Sequence, residues 1–261
     1  KIFLQESRVQ KAVEFYREHA DTLARAEQTY GVPQEIILAI IGVETRYGQY
    51  MGSYRVVDAL ATLGFDYPPR ASFFRKQLKA LFELEQKAHI DANVITGSYA
   101  GAMGYGQFIP TSYQAYAVDF DNDGVTDLVN NPVDAIGSVA NYFHEHRWQP
   151  DLPVAARARV EGSGYQPLAK KGYKPSFTLD QARQAQVSPI SCEGSGVKSE
   201  YCFDLPGDTR VALLDLEGLQ GTEFWLATDN FYVITRYNHS RLYAMAVLQL
   251  SREIAAALET H

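Results

Sequence analysis

The chain has 261 residues, is 46% hydrophobic and carries a net charge of -7, which allows one large domain or two to three small lobes and excludes wholesale disorder. A nucleic-acid binder should present a basic face or run. Only short basic clusters such as Lys170-Lys171 occur, so no nucleic-acid partner is expected. The longest apolar run, Ile36 to Val43, is far too short to span a bilayer, and no signal-peptide pattern is visible.

In chain order, residues from Ser7 to Thr29 have helical spacing, with Val9, Val13, Tyr16, Ala20, Leu23 and Ala24 on one side. Gly31 ends that helix, and Pro33 suits the first position of the next. From Glu35 to Gly48 the second helix is apolar on every face through Ile36, Ile37, Leu38, Ala39, Ile40, Ile41 and Val43, so it should be buried nearly all round. It ends in a carboxylate, Glu44, with Gly48 just past the end. The negative end of the helix dipole and apolar surroundings both raise a carboxyl pKa. A carboxyl kept protonated near neutral pH is what a general acid requires. Alternatively, Glu44 surfaces as the helix exits and pairs with Arg46; this stretch alone leaves both readings open.

A short helix follows from Val56 to Leu63, capped by Gly64, and Asp66-Tyr67-Pro68-Pro69 forms a break. Ala71 to Ala88 is amphipathic, with Phe74, Leu78, Leu81, Phe82 and Ala88 on its buried side. A loop of small residues runs from Thr96 to Thr111, and an acidic loop from Asp119 to Asn131. Pro132 starts another helix through Val133, Ile136, Val139, Ala140 and Phe143. Near Gln149-Pro150 the character changes to frequent Pro and Gly turns, and Val211–Leu216, Thr222–Ala227 and Phe231–Thr235 read as strands. Cys192 and Cys202 lie in this region; they form either a small disulfide loop in an oxidising compartment or two free thiols. A last helix from Ser240 to Leu258 buries Leu242, Tyr243, Ala246, Val247, Leu250 and Ile254.

Two loops carry candidate chemistry. In Ser98–Ser112, Gly101, Gly104 and Gly106 permit close backbone approach, and Met103, Tyr105, Gln107 and Phe108 mix apolar surface with directed hydrogen bonds. No basic residue and no phosphate-loop pattern occurs there, so either a ligand-facing loop or a plain glycine-rich turn fits. Asp119-Phe-Asp-Asn-Asp-Gly-Val-Thr-Asp127 places oxygen ligands at loop positions one, three and five and Gly124 at six, as in an EF-hand, with the Val125 carbonyl next. Position twelve is Asn130 and not Glu, which departs from the standard loop. An acidic Asp-Gly turn without metal is the plainer alternative. Three aspartates on alternate positions repel one another unless a cation joins them, which favours Ca²⁺ in a structural role.

Val43-Glu-Thr-Arg-Tyr-Gly48, Gly101-Ala-Met-Gly-Tyr-Gly-Gln-Phe-Ile-Pro110 and Arg236-Tyr-Asn-His-Ser-Arg-Leu-Tyr-Ala244 resemble three signature segments of the lytic transglycosylase B family, and Asp134-Ala-Ile-Gly-Ser-Val-Ala-Asn-Tyr-Phe143 resembles a fourth, all in the family's order along the chain. The resemblance runs from about Tyr30 to His261. It implies an α+β, mainly α fold: a lysozyme-like core (31–64, 93–148 and 236–261), an added helical lobe (1–30 and 65–92) and a small β-containing lobe (149–235). It implies a peptidoglycan lytic transglycosylase with Glu44 as the single acid/base, forming a 1,6-anhydromuramoyl product. An ordinary glycosidase flanks the bond with two carboxylates. No second acid has an obvious partner position around Glu44; Asp58, the nearest downstream, reads as a structural or capping group. Carried over residue by residue, Ser98, Gln107, Phe108, Tyr142, Tyr237, Asn238 and Tyr243 contact sugar or line the cleft, and Arg70 reaches the peptide side of the glycan. Core packing is the alternative for each tyrosine. The resemblance also implies that the acidic loop is a lengthened calcium loop closed by Asp134, beside Asp119, Asp121, Asp123 and Val125. Expected partners are peptidoglycan glycan strands and cell-wall synthesis proteins. The expected location is the periplasm, soluble or held at the outer membrane through a lipidated N-terminus. A water-using muramidase and a non-catalytic, calcium-stabilised peptidoglycan-binding module are the competing functions.

Overall fold

A computed structural model of the chain describes residues 5–87, 90–190, 192 and 201–260. They form two compact units, Lys1–Glu145 with Gln249–His261, and His146–Leu248.

The first unit is helical. Helix α1 (Glu6–Tyr30) buries Ala12, Val13, Phe15, Leu23 and Ala26, and ends at Gly31 in the left-handed conformation. A break at His19 separates its halves, and Ala24, expected inside, is exposed. Helix α2 (Gln34–Thr45) is buried on all sides from Ile36 to Gly42, as its composition requires; Pro33 sits one residue earlier than expected, at the N-cap. Strand β1 (Tyr54–Arg55) leads into α3 (Val56–Phe65). Gly64 lies inside the last turn of α3 and not beyond it, and its carbonyl accepts from the Arg75 guanidinium at 2.8 Å. A 3-10 turn (Pro68–Arg70) precedes α4 (Ala71–Lys87); Ala88, expected at its end, lies outside the described residues. The buried stripe of α4 is Phe74, Gln77, Leu81 and Leu84, spaced by three or four residues. Phe82 sits about 100° off that stripe and is 46% exposed, against the sequence expectation.

Strand β2 (Thr96–Gly97) pairs antiparallel with β1, and α5 (Pro110–Tyr116) and α6 (Pro132–Glu145) complete the helical layer. Helices α1, α2 and α6 pack together, and so do α3 with α4 and α4 with α5.

The second unit is built on a five-stranded antiparallel sheet. Its elements are β3 (Ala155–Val160), α7 (Gln166–Ala169), β4 (Phe177–Thr178), α8 (Leu179–Gln184), β5 (Val187–Pro189), β6 (Arg210–Gly218), β7 (Gly221–Ala227) and α9 (Asp229–Tyr237). Strand order is β4-β6-β7-β3-β5. Its core comprises Ala156, Phe177, Leu179, Val211, Leu213 and Leu226. Cys192 and Cys202 are disulfide-bonded, with Cα atoms 5.1 Å apart, which decides between the two thiol states left open above.

Phe231–Thr235 is not a strand; it lies within α9. The β-branched run Val233-Ile234-Thr235 suits a strand, but local capping overrides propensity. The buried Thr228 hydroxyl accepts from the Asn230 amide at 3.2 Å, and the Asn230 side chain donates to the Gln149 and Leu152 carbonyls, both at 2.7 Å. Helix α10 (Arg241–Glu259) starts in the second unit and ends in the first. Ala244, Val247, Leu248, Ser251 and Ile254 form its buried side. Leu242, expected there, is 66% exposed, two residues ahead of the stripe's first member. Among the described residues no helix is long and apolar enough to cross a membrane.

Burial pushes the Glu35 carboxyl, in the first turn of α2, above its ordinary range; its own backbone amide and Arg252 pull it down, and Glu27 adds to the rise. The folded chain therefore holds this proton to higher pH than the unfolded chain does. Stability contributed by protonated Glu35 is present at low pH and lost as pH rises through its folded pKa. Glu35→Gln is expected to melt above wild type at pH ~7, and the gap should close toward pH ~4, near the unfolded carboxylate range. Thermal melts of both proteins across that range check it; parallel curves would refute it.

Candidate active site

The buried helix α2 delivers Glu44 to a half-buried position in its final turn. The helix stops abruptly there. Arg46, Tyr47 and Gly48 are all left-handed, with φ of 52°, 60° and 84°. The sequence suggested Gly48 as the stop; the reversal begins two residues earlier, on residues that pay about 1–2 kcal/mol each for that conformation. Surrounding bonds hold the turn. The Arg46 amide donates to Gly42 at 3.2 Å, and the Tyr50 amide to the Thr45 carbonyl at 2.9 Å. The Tyr47 ring fills the space over Gly42, where an added Cβ would fall 2.4 Å from its hydroxyl. Burial raises the Tyr47 phenol well above its usual pKa.

Thr45, 1% exposed, joins this helix end to the glycine-rich loop. Its hydroxyl donates to the Tyr105 carbonyl at 2.8 Å, with Ile41 a longer alternative at 3.2 Å, and accepts from the Gly48 amide at 3.1 Å. The Tyr105 ring covers Gly48, where a Cβ would meet it at 2.4 Å. Gly104 (φ 70°) has the Leu128 carbonyl 2.1 Å from where a Cβ would stand, so only glycine fits. That carbonyl accepts from the Tyr105 amide at 3.0 Å.

The predicted glycan-contacting residues fall as follows. Gln107, also left-handed (φ 51°), donates through Nε2 to the Met51 carbonyl at 3.1 Å and the Gly104 carbonyl at 3.0 Å. Its side chain thereby straps the loop to the chain just after Glu44's helix. The Ser98 hydroxyl accepts from the Ala100 and Ala102 amides at 3.2 and 3.1 Å. Phe108 and Tyr142 are buried and meet edge-on, with centroids 6.0 Å apart; Tyr116 packs on Tyr142 at 4.9 Å. Arg70 is exposed, its guanidinium 4.4 Å from the Phe73 ring centroid. Tyr237, Asn238 and Tyr243 belong to the second unit: Tyr237 ends α9, Asn238 caps it, and the Tyr243 amide donates to the Ser240 hydroxyl at 3.2 Å. Asp58 forms a two-point pair with Arg55.

In the acidic loop, Asp119, Asp121 and Asp134 each bring a carboxylate oxygen to within 4.8 Å of the others. Asp134, fully buried, accepts from the Phe120 and Asp127 amides at 2.7 and 2.8 Å. Gly124 (φ 92°) makes the sharp turn, and its amide donates to Asp119 at 2.8 Å. Asp123 stands outside the group of three and accepts from the Val125 amide at 2.8 Å. Such a set of hard oxygens suits Ca²⁺.

Thr45, Tyr113 and Gln77 escaped the sequence reading. The Tyr113 hydroxyl donates to the Thr126 carbonyl at 2.7 Å and accepts from the Leu128 amide at 3.1 Å, tying the acidic loop to α5. The buried Gln77 accepts from the Thr111 amide at 3.0 Å, satisfying the start of α5. None has a spacing that marks it. Thr45 alone had a clue, as a β-branched hydroxyl closing a helix that is apolar from Ile36 to Val43.

Thr45→Val keeps the shape and removes both bonds. The expected cost is about 1–3 kcal/mol, read as a lower melting temperature. Gly104→Ala, with strain and a backbone clash together, is expected to cost more, above about 2 kcal/mol.

The Transglycosylase SLT domain family model matches residues 1–252. The membrane-bound lytic murein transglycosylase B of Escherichia coli (strain K12) is 44% identical over 257 residues, covering 98% of this chain and 66% of the relative, so the chain spans just under two thirds of that relative's length. Among solved structures, the soluble lytic transglycosylase SltB1 of Pseudomonas aeruginosa superposes with a TM-score of 0.91 at 46% identity, over 99% of this chain and 82% of that one. The Escherichia coli lytic transglycosylase Slt35, solved in complex with calcium, gives 0.85 at 43%, over 98% and 76%. Pseudomonas aeruginosa SltB3, solved with NAG-NAM-pentapeptide, gives 0.83 at 32%, over 97% and 65%. The chain therefore belongs to the Transglycosylase SLT domain family and has the mostly helical, lysozyme-like fold of the lytic transglycosylases.

Proposed function

We propose that this chain is a lytic murein transglycosylase in which Glu44 alone serves as acid and then as base. The observation that carries the reading is the joint between Glu44's helix and the glycine-rich loop, through Thr45 and Tyr105, in a chain of this family. Protonated Glu44 donates to the glycosidic oxygen of the β-1,4 bond between N-acetylmuramic acid and N-acetylglucosamine, and that bond breaks. The substrate's own N-acetyl group, or an ion pair with the new carboxylate, supports the cationic C1. Glu44 then takes the proton of the muramoyl O6 hydroxyl as O6 attacks C1. The product is a 1,6-anhydromuramoyl end, and no water is consumed. A second carboxylate is not needed because the substrate supplies the nucleophile.

Ser98, Gln107 and Phe108 on the loop, Tyr142, and Tyr237, Asn238 and Tyr243 are the glycan-contacting residues of this reading, with Arg70 toward the peptide. The Gln107 carbonyl oxygen makes no hydrogen bond among the described residues, so it is available to a sugar hydroxyl. The finer division into a helical lobe (1–30, 65–92), a core (31–64, 93–148, 236–261) and a β lobe (149–235) belongs to the same proposal. So do a periplasmic location, consistent with the envelope enzyme it resembles, and contact with cell-wall synthesis proteins.

Asp119, Asp121, Asp123 and Asp134 with the Val125 carbonyl form the proposed Ca²⁺ site of an EF-hand-like loop. The cation's chemistry there is structural: it offsets the repulsion of the clustered carboxylates and fixes the loop.

Three measurements test these readings. Glu44→Gln is expected to lose about 10³-fold or more in turnover of sacculi while still binding them; undiminished lysis would sink the assignment. Wild-type products should be lighter by one water than hydrolysis products and lack a reducing end, by mass spectrometry; reducing ends would favour a muramidase. For the metal, saturating Ca²⁺ is expected to raise the melting temperature by about 5–10 °C over chelator-treated protein, and Asp134→Asn should abolish most of that difference.

A further inference from the structure

Beside the glycine-rich loop lies an open cleft of about 430 Å³, lined among others by Tyr54, Arg55, Asp58, Thr62 and Tyr99. Tyr54 and Tyr99 are 59% and 71% exposed. Exposed single aromatics are ordinary, but here two tyrosines from separate segments share the wall of one cavity. They are not on loose chain. Tyr54 pairs in register with Gly97 across β1 and β2. Tyr99 follows Ser98, whose hydroxyl ties down the next turn of the loop. The backbone at Gly52 lies so close to Gly97 that a Cβ would fall 2.0 Å from its carbonyl oxygen. On the same lining, the Arg55 guanidinium holds Asp58 at 2.7 and 2.8 Å, a two-point pair more than half exposed to water.

An aromatic ring offers an apolar face with a polar tip, and a fixed guanidinium–carboxylate pair offers donors and acceptors in one plane. A pyranose ring presents the complement: an apolar face of C–H groups and a rim of hydroxyls. A nucleic acid or an anionic headgroup fits poorly, because Asp58 already neutralises Arg55, the one cation lining the cleft among the described residues. We infer that the Tyr54–Tyr99 cleft is an outlying saccharide subsite that holds an N-acetylhexosamine ring of the glycan strand, beyond the sugars flanking the cut. The inference rests on the peptidoglycan reading above. It assigns the cleft a role in gripping long strands, on the side of the loop next to Ser98.

The test compares wild type with Tyr54→Ser/Tyr99→Ser on peptide-free glycan strands and on the tetrasaccharide cut from them. The ratio of kcat/KM for long strands to that for tetrasaccharide is expected to fall about tenfold in the double variant, one aromatic stacking contact's worth of affinity. An unchanged ratio overturns the subsite, and so does a loss that appears only on peptide-bearing strands, which would make the occupant the peptide. The same pair of substitutions in a Glu44→Gln background reads binding without cleavage: less protein should pellet with sacculi than for Glu44→Gln alone. Equal pelleting overturns the inference. A wild-type chain that cuts neither substrate but pellets through these tyrosines would fail the catalytic reading and leave the subsite standing.

Discussion

One hydrogen bond, from the Thr45 hydroxyl to the Tyr105 carbonyl, joins the two stretches on which the candidate site is built. On one side is the last turn of an all-buried helix carrying Glu44. On the other is a glycine-rich loop with no regular structure of its own beyond a Met103–Phe108 bridge. The loop's far side is tied in turn. The Tyr105 amide reaches Leu128, Leu128 reaches Tyr113, and the neighbouring Asp127 amide reaches buried Asp134. The acidic loop thus braces the glycine-rich loop, which braces the end of Glu44's helix. These groups lie in a single unit, and each bond is short and partly or fully buried, where an unmade partner is expensive.

The turn after Glu44 explains why such bracing is needed. Arg46 and Tyr47 adopt a conformation that L-residues avoid, and Gln107 does the same across the loop. Strain at a few residues persists only when the surroundings over-determine it. Here the surroundings are Ile36 to Ile41, each almost wholly removed from water, at about 1.5–3 kcal/mol for each large side chain. The helix is a rigid post. Its burial lets the chain reverse within three residues and leave a carboxyl at the edge of the apolar body.

Much of this was legible in the residues. The all-apolar composition of α2 left no face for water, so its burial followed directly. The alternate aspartates and Gly124 announced a tight oxygen-rich loop, and Asp134 joined it once the resemblance was considered. What failed did so for identifiable reasons. Phe231–Thr235 has the composition of a strand, yet the Thr228 hydroxyl caps the Asn230 amide and starts a helix, and the bonds that Thr228 and Asn230 make to residues some 80 positions earlier fix that start in place. Phe82 and Leu242 are apolar residues on amphipathic helices, but the stripe that touches the core is narrower than apolar composition suggests. Strand β3, three alanines and two arginines before Val160, carries almost no β signal.

The sequence by itself determined the elements whose cause is local: helices set by apolar period, turns set by glycine and proline, an acidic loop set by ligand spacing, and through ordered motifs the family. Tertiary structure alone decided which side chains work together. Thr45 finds Tyr105 across 60 residues, and Gln107 finds Met51 across 56. The same holds for Tyr54 and Tyr99, which meet at one cleft only because β1 pairs with β2. Such contacts leave no periodic trace, because a single hydrogen bond between distant segments constrains one residue at each end and nothing between them.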